Sequence, residues 1–188
     1  MAAFCFQSPP DPMDILTKSH FELLGLPERF GIDTAELQQA YRRLQGAVHP
    51  DRFAAAGATE RRIAMQLATR ANEAYRTLLE PGRRAAYLCE RHGVPLQAET
   101  NTAMSRAFLV QQMAWREALE DARIGRDAGA LAGLARLLCD HRDCLLAEIA
   151  AAIDGEHDYT RAADAVRRWM FVDKFGAEVA AAEDGLAA

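Results

Sequence analysis

No apolar run in this sequence approaches the roughly 20 residues that span a bilayer, so no membrane segment is expected. The first nineteen residues lack Arg and contain Asp11 and Asp14, a composition unlike a secretory signal or a mitochondrial presequence. A cytoplasmic protein is therefore expected. None of the four cysteines, Cys5, Cys89, Cys139 and Cys144, forms a CxxC pair, which predicts four reduced thiols. Lysine is nearly missing: Lys18 and Lys174 are the only two among 22 basic residues. Acidic residues outnumber basic ones, and a formal net charge of -5 argues against electrostatic binding of nucleic acid. The sequence also has no phosphate-cradling loop, zinc motif or recognisable nucleophile–base pair, so it is not expected to be an enzyme and no cofactor is called for. It shows no strand-period alternation and no internal repeat.

Half of the residues are hydrophobic, enough for one moderate core or two small domains. Charge is unevenly spread. From His20 to Glu80 eight Arg balance eight acidic residues, whereas Pro81 to Ala188 carries thirteen basic and seventeen acidic residues. The segment Gln7–Pro12 reads as part of a disordered leader covering 1–17.

Beyond the leader, helical period dominates. Asp33 is placed as an N-cap, with Glu36 three residues on in a capping-box-like pair. Leu37, Tyr41, Leu44 and Val48 then form one apolar stripe, and His49-Pro50-Asp51 stops the helix. After a linker containing Gly57, a second helix carries Ile63, Leu67, Ala71, Ala74 and Leu78 to the stop at Pro81-Gly82. The two stripes predict an antiparallel hairpin over 18–80, closed by a short helix near His20–Leu24. A connecting helix at Arg83–His92 lies in a linker region, 81–94. Three longer helices, roughly Thr102–Ile124, Asp127–Ile153 and Tyr159–Glu183, predict a bundle within 95–188. Gly125 and Gly155 sit where left-handed C-terminal glycines belong. In the last helix Ala162, Ala165, Trp169, Val172, Gly176 and Val179 make a packing seam. The expected fold class is all-α, in two parts.

The sharpest motif is His49-Pro50-Asp51. Alone, the triplet is weak. Here it joins two amphipathic helices, with FELLGL at Phe21–Leu26 upstream and ANEAYRTL at Ala71–Leu78 downstream. Pro50 fixes the backbone and presents His49 and Asp51 at a rigid tip. Arg42, with Gln38 and Gln45, falls opposite the apolar stripe; Arg43 lies beside it, and Arg52 follows the triplet. These residues make a basic surface suited to an acidic partner. In this context the segment resembles a J-domain. That resemblance implies that His49, Pro50, Asp51, Arg42, Arg43 and Arg52 engage a DnaK-type chaperone and trigger its ATP hydrolysis. Arg52 stands where many J-domains carry Lys.

In the C-terminal half, RAAYLCERHG at Arg84–Gly93, AFLVQQMAWREALEDA at Ala107–Ala122 and VRRWMFVDKF at Val166–Phe175 are similar to the HscB family of J-domain co-chaperones. The resemblance implies an L-shaped protein serving iron–sulfur cluster assembly. Its bundle would bind an IscU-like scaffold and deliver it to an HscA-like chaperone. By position in the family motif, the scaffold face maps to Leu109, Val110, Met113, Glu117, Asp121 and Phe171, with Ala114 where the family pattern has an acid.

Helical phase bears on that face independently. Phe108, Trp115 and Leu119 define one stripe, while Met113 lies about 200° round the helix from Trp115. A helix apolar on two sides is either wholly buried or docks its second side on a partner. Glu117, Glu120 and Asp121 continue the second flank and favour the partner, although Leu109, Val110 and Met113 as core residues remain the alternative. Cys139, His141 and Cys144 cluster in sequence. On a helix, however, the two cysteines are about 140° apart and poorly placed to share an ion, so no metal is expected. His92 before Gly93 is read as a helix C-terminal residue. A J-domain adaptor for a different client, or one that only dimerises, is the other functional reading.

Overall fold

The computed structural model describes residues 17–48, 57–96 and 104–187. Most of the leader, with Cys5, and the loop residues His49, Pro50, Asp51 and Arg52 lie outside the described residues. Among the described residues all regular structure is helical, so the chain is all-α. It divides into two compact units, Met1–Arg84 and Ala85–Ala188.

In the first unit, Ser19 starts helix α1 (His20–Leu24) with a reciprocal capping box: its Oγ accepts from Glu22 N at 3.1 Å, and Glu22 Oε2 accepts from Ser19 N at 2.7 Å. Gly25 ends the helix at φ 66, a left-handed conformation that costs glycine little. Helix α2 (Thr34–Val48) starts after Asp33, whose Oδ1 accepts from Ala35 N at 2.7 Å. Helix α3 (Ala58–Leu79) pairs with α2 as the stripes require. The contact differs from the simple stripe in one respect. Leu37, Ala40, Val48, Ala64, Ala71, Ala74 and Leu78 are buried, whereas Tyr41, Leu44, Ile63 and Leu67 are only half-buried. The alanines let the helix backbones approach, and the larger residues are pushed to the margins. There Tyr41 stacks on Tyr75 with ring centroids 4.3 Å apart and donates its hydroxyl to Asn72 Oδ1 at 2.6 Å. Phe21, Leu24, Leu26 and Phe30 complete the core.

Pro81 does more than stop α3. It is the first residue of helix α4 (Pro81–Arg91), which therefore begins two residues before the expected Arg83. Proline suits that position because its fixed φ is helical and its missing N–H would have no partner there.

The second unit holds α5 (Arg106–Gly125), α6 (Ala128–Ala150) and α7 (Tyr159–Ala187). Each start is capped by a side chain: Ser105 accepts from Phe108 N at 3.3 Å, Asp127 from Ala130 N at 2.9 Å and Asp158 from Arg161 N at 2.9 Å. Phe108, Trp115 and Leu119 of α5 are buried, as are Leu131, Leu138 and Ile149 of α6 and Ala162, Ala165, Trp169, Val172 and Val179 of α7. Arg168 ties α7 to α6 through Glu148 at 2.9 Å. Leu88 and Cys89 of α4 are buried in this unit, and His92 stacks on Tyr159 at 3.8 Å.

Two helix ends depart from the glycine rule. Arg126 takes the left-handed conformation after α5, at φ 49, one residue beyond Gly125. After α6 the chain continues through a π turn, Ala151–Gly155, and the positive φ falls on His157, at 54, not on Gly155. In the first case the reason is the short connection. Asp127 must cap α6, so the reversal has to occur at the residue before it, whatever that residue is.

Candidate partner-binding surfaces

On the first unit, Gln38, Arg42, Arg43 and Gln45 are all exposed on α2. Gln45 is held by a hydrogen bond from its Nε2 to Tyr41 Oη at 3.2 Å. Arg42 and Arg43 stand side by side at the middle of α2, both open to solvent. The loop residues expected to complete the surface are outside the described residues.

The second surface is on the bundle. Trp115, Phe108, Leu119 and Ala122 turn one side of α5 into the core. On the other side, Leu109 is 44% exposed, Val110 59% and Met113 62%. Solvent reaches all three, so they are not core residues. Glu117, Glu120 and Asp121 follow on the same side and are exposed. At ~100° per residue, these six positions fall within an arc of about 120° centred opposite the buried stripe. Two exposed residues outside the expected set share the arc: Arg106, at the start of the helix, and Ile124, 74% exposed. The signal of Ile124 in the sequence is its spacing, eleven residues or about three turns after Met113.

Phe171 is placed differently. It is half-buried on α7 and belongs to an aromatic cluster. Its ring meets Phe108 edge-on at 5.8 Å, stacks with Phe175 at 5.8 Å and lies 6.4 Å from Trp115. The Arg116 guanidinium sits 5.8 Å from the Phe171 ring centroid and 5.7 Å from that of Phe175. Phe171 therefore joins α5 to α7 while staying partly open to solvent.

The described cysteines belong to neither set of residues. Cys89 is buried, and burial pushes its thiol up to about 11. Cys139 and Cys144 are exposed. His141, between them, packs edge-on against the Trp115 ring at 5.1 Å. Among the described residues no group of three or more His, Cys, Asp or Glu is placed to hold a metal ion. A shallow groove of about 350 Å³ between α6 and α7 is lined by Leu138, Cys139, Arg142, Val172, Asp173 and small residues. Among the described residues no helix is long and apolar enough to cross a membrane.

Residues 104–180 match a family model described as the HSCB C-terminal oligomerisation domain. The chain is 53% identical over 164 residues to the co-chaperone protein HscB homolog of Bordetella pertussis, covering 87% of this chain and 95% of that protein. The homolog from Burkholderia pseudomallei strain 668 is 52% identical over 166 residues, covering 88% and 94%. Among solved structures, the chaperone HscB from Vibrio cholerae superposes with a TM-score of 0.84 at 36% identity, over 89% of this chain and 99% of that one. The crystal structure of human co-chaperone protein HscB gives a TM-score of 0.81 at 27% identity, over 95% and 90%.

Proposed function

Because the chain belongs to the HscB family of co-chaperones, we propose that it is a non-enzymatic adaptor of iron–sulfur cluster assembly, working in the cytoplasm. In this reading its first unit stimulates the ATPase of a DnaK-type, HscA-like chaperone. His49, Pro50 and Asp51 make the triggering contact, and Arg42, Arg43 and Arg52 steer the loop to an acidic partner patch. The second unit carries an IscU-like scaffold on Leu109, Val110, Met113, Glu117, Asp121 and Phe171.

The observation that supports the second half most directly is the solvent-facing flank of α5. Three large apolar side chains lie open there on a helix whose opposite side already fills the core. Exposed apolar residues clustered on one face mark interaction sites more often than scattered ones do. The carboxylates beside them give the patch polarity and disfavour partners with acidic surfaces. A polar, ligand-sized cleft is not needed for such a role.

Calorimetric titration with purified scaffold tests the assignment. Binding should occur with micromolar or better affinity and should be lost when Leu109, Val110 and Met113 are replaced together. Absence of binding by the intact chain would refute it. The matched family's description favours a second reading, self-association through the same unit. Sedimentation at several concentrations separates the two: a monomer that binds scaffold supports delivery, and a dimer that dissociates in the triple variant supports self-association.

A further inference from the structure

We propose that the partner surface on α5 does not stop at Asp121 but runs to the end of the helix, with Ile124 as its second apolar anchor; the client face that fits it carries a basic centre between two apolar patches. This rests on the reading of α5 as the client-binding helix.

The length of the patch is the first reason. Leu109 to Met113 covers only about 6 Å of helix axis, whereas Leu109 to Ile124 covers about 22 Å. A standard interface buries about 800 Å² on each partner, a patch roughly 30 Å across. The longer surface suits that size and the shorter one does not.

Position gives the second. Ile124 is the most exposed of the large apolar side chains among the described residues, at 74%. It lies about 20° from Met113 in helical phase, three turns further on. A β-branched residue left in water at the last turn of a helix adds little to the fold. Its placement on the one flank that already carries three exposed apolar residues gives it a use in docking.

Charge is the third. Between the two apolar ends stand Glu117, Glu120 and Asp121, all exposed. Among the described residues none of the three is held in a salt bridge. Of the cations on the same helix, Arg116 is drawn over the Phe171 and Phe175 rings, and Arg106 stands more than two turns before Glu117, at the N-terminal end. The acidic middle of the stripe is thus free to meet positive charge, and complementary charge is what steers and registers such an encounter.

Titration of the scaffold against Ile124→Ala, Ile124→Lys and Ile124→Leu tests the proposal, with melting curves alongside. Ile124→Ala is expected to weaken binding by about fivefold, the lower bound for an energetically significant contact. Ile124→Lys, placing a cation beside the client's basic centre, is expected to weaken it further, and Ile124→Leu to stay within about twofold of wild type. All three should melt with wild type. Neutralising Glu117, Glu120 and Asp121 to their amides should flatten the salt dependence of binding. If the Leu109, Val110 and Met113 triple variant loses the scaffold while Ile124→Ala and Ile124→Lys bind as wild type, the extension is wrong and the client-binding reading stands. If the triple variant itself binds normally, that reading fails and takes the extension with it. An unchanged salt slope in the neutralised variant would refute the basic centre. Self-association altered by Ile124→Lys, with scaffold binding intact, would assign the end of the stripe to a second copy of the chain.

Discussion

Replacing Leu109, Val110 and Met113 together with Ala should separate binding from folding, and the expected size follows from their exposure. Each is roughly half or more accessible in the free chain. Burying a large apolar side chain completely contributes roughly 1.5–3 kcal/mol. The surface still open on the three therefore sets a gross ceiling of about 2.5–5 kcal/mol for docking. Part of that is offset by side-chain ordering and imperfect fit, so a measured loss of about 2–3 kcal/mol is expected, or roughly 30- to 150-fold in Kd. Stability should change far less. Surface substitutions typically stay within about 0.5 kcal/mol each, and Ala is a better helix former than Val. The melting temperature should fall by no more than several degrees. Trp115→Ala is the contrast: that side chain is buried, and truncation should cost about 3–5 kcal/mol and take folding and binding together. Calorimetry with the scaffold beside thermal melting makes the measurement. A normal melt with wild-type affinity would refute the assignment of this flank to the client, and a triple variant that melts like Trp115→Ala would return the three residues to the core.

Two further outcomes are expected. Arg126→Gly should raise stability by about 1 kcal/mol, because Arg126 sits at φ 49 and glycine removes the Cβ conflict of that conformation; an unchanged or lower melting temperature would contradict this. At pH 8 an alkylating reagent should label Cys139 and Cys144 readily and Cys89 only on unfolding, since Cys89 is buried and its thiol, pushed up to about 11, stays protonated; rapid native labelling of Cys89, followed by mass spectrometry, would contradict that.

The phase of the long helices was legible because an amphipathic helix writes its buried side into the spacing of large residues. Trp169, Val172 and Val179 fall in the core where their spacing put them. On α5 the two-sided pattern with its acidic continuation favoured a place outside the core for Leu109, Val110 and Met113, and there they lie. Alanines were harder to read. Ala40 and Ala64 pattern as neither apolar nor polar, yet they fill the closest part of the hairpin and displace Tyr41 and Ile63 to its edge. Helix ends were misread where they depend on the next helix: Gly125 looked like a cap, but the demand of Asp127 fixed the reversal at Arg126. The double duty of Phe171 depends on Phe108 and Trp115, some sixty residues earlier in the chain, so no local pattern could carry it.

Triggering on the first unit and cargo binding on the second should be separable activities of one chain. Steady-state ATP hydrolysis by the matching DnaK-type chaperone, with and without scaffold, measures both at once. Wild type should stimulate the chaperone alone and stimulate it further with scaffold. His49→Gln should abolish both while melting normally. The Leu109, Val110 and Met113 triple variant should keep the first and lose the second. Stimulation by His49→Gln within twofold of wild type, or loss of both activities in a normally folded triple variant, would contradict the account.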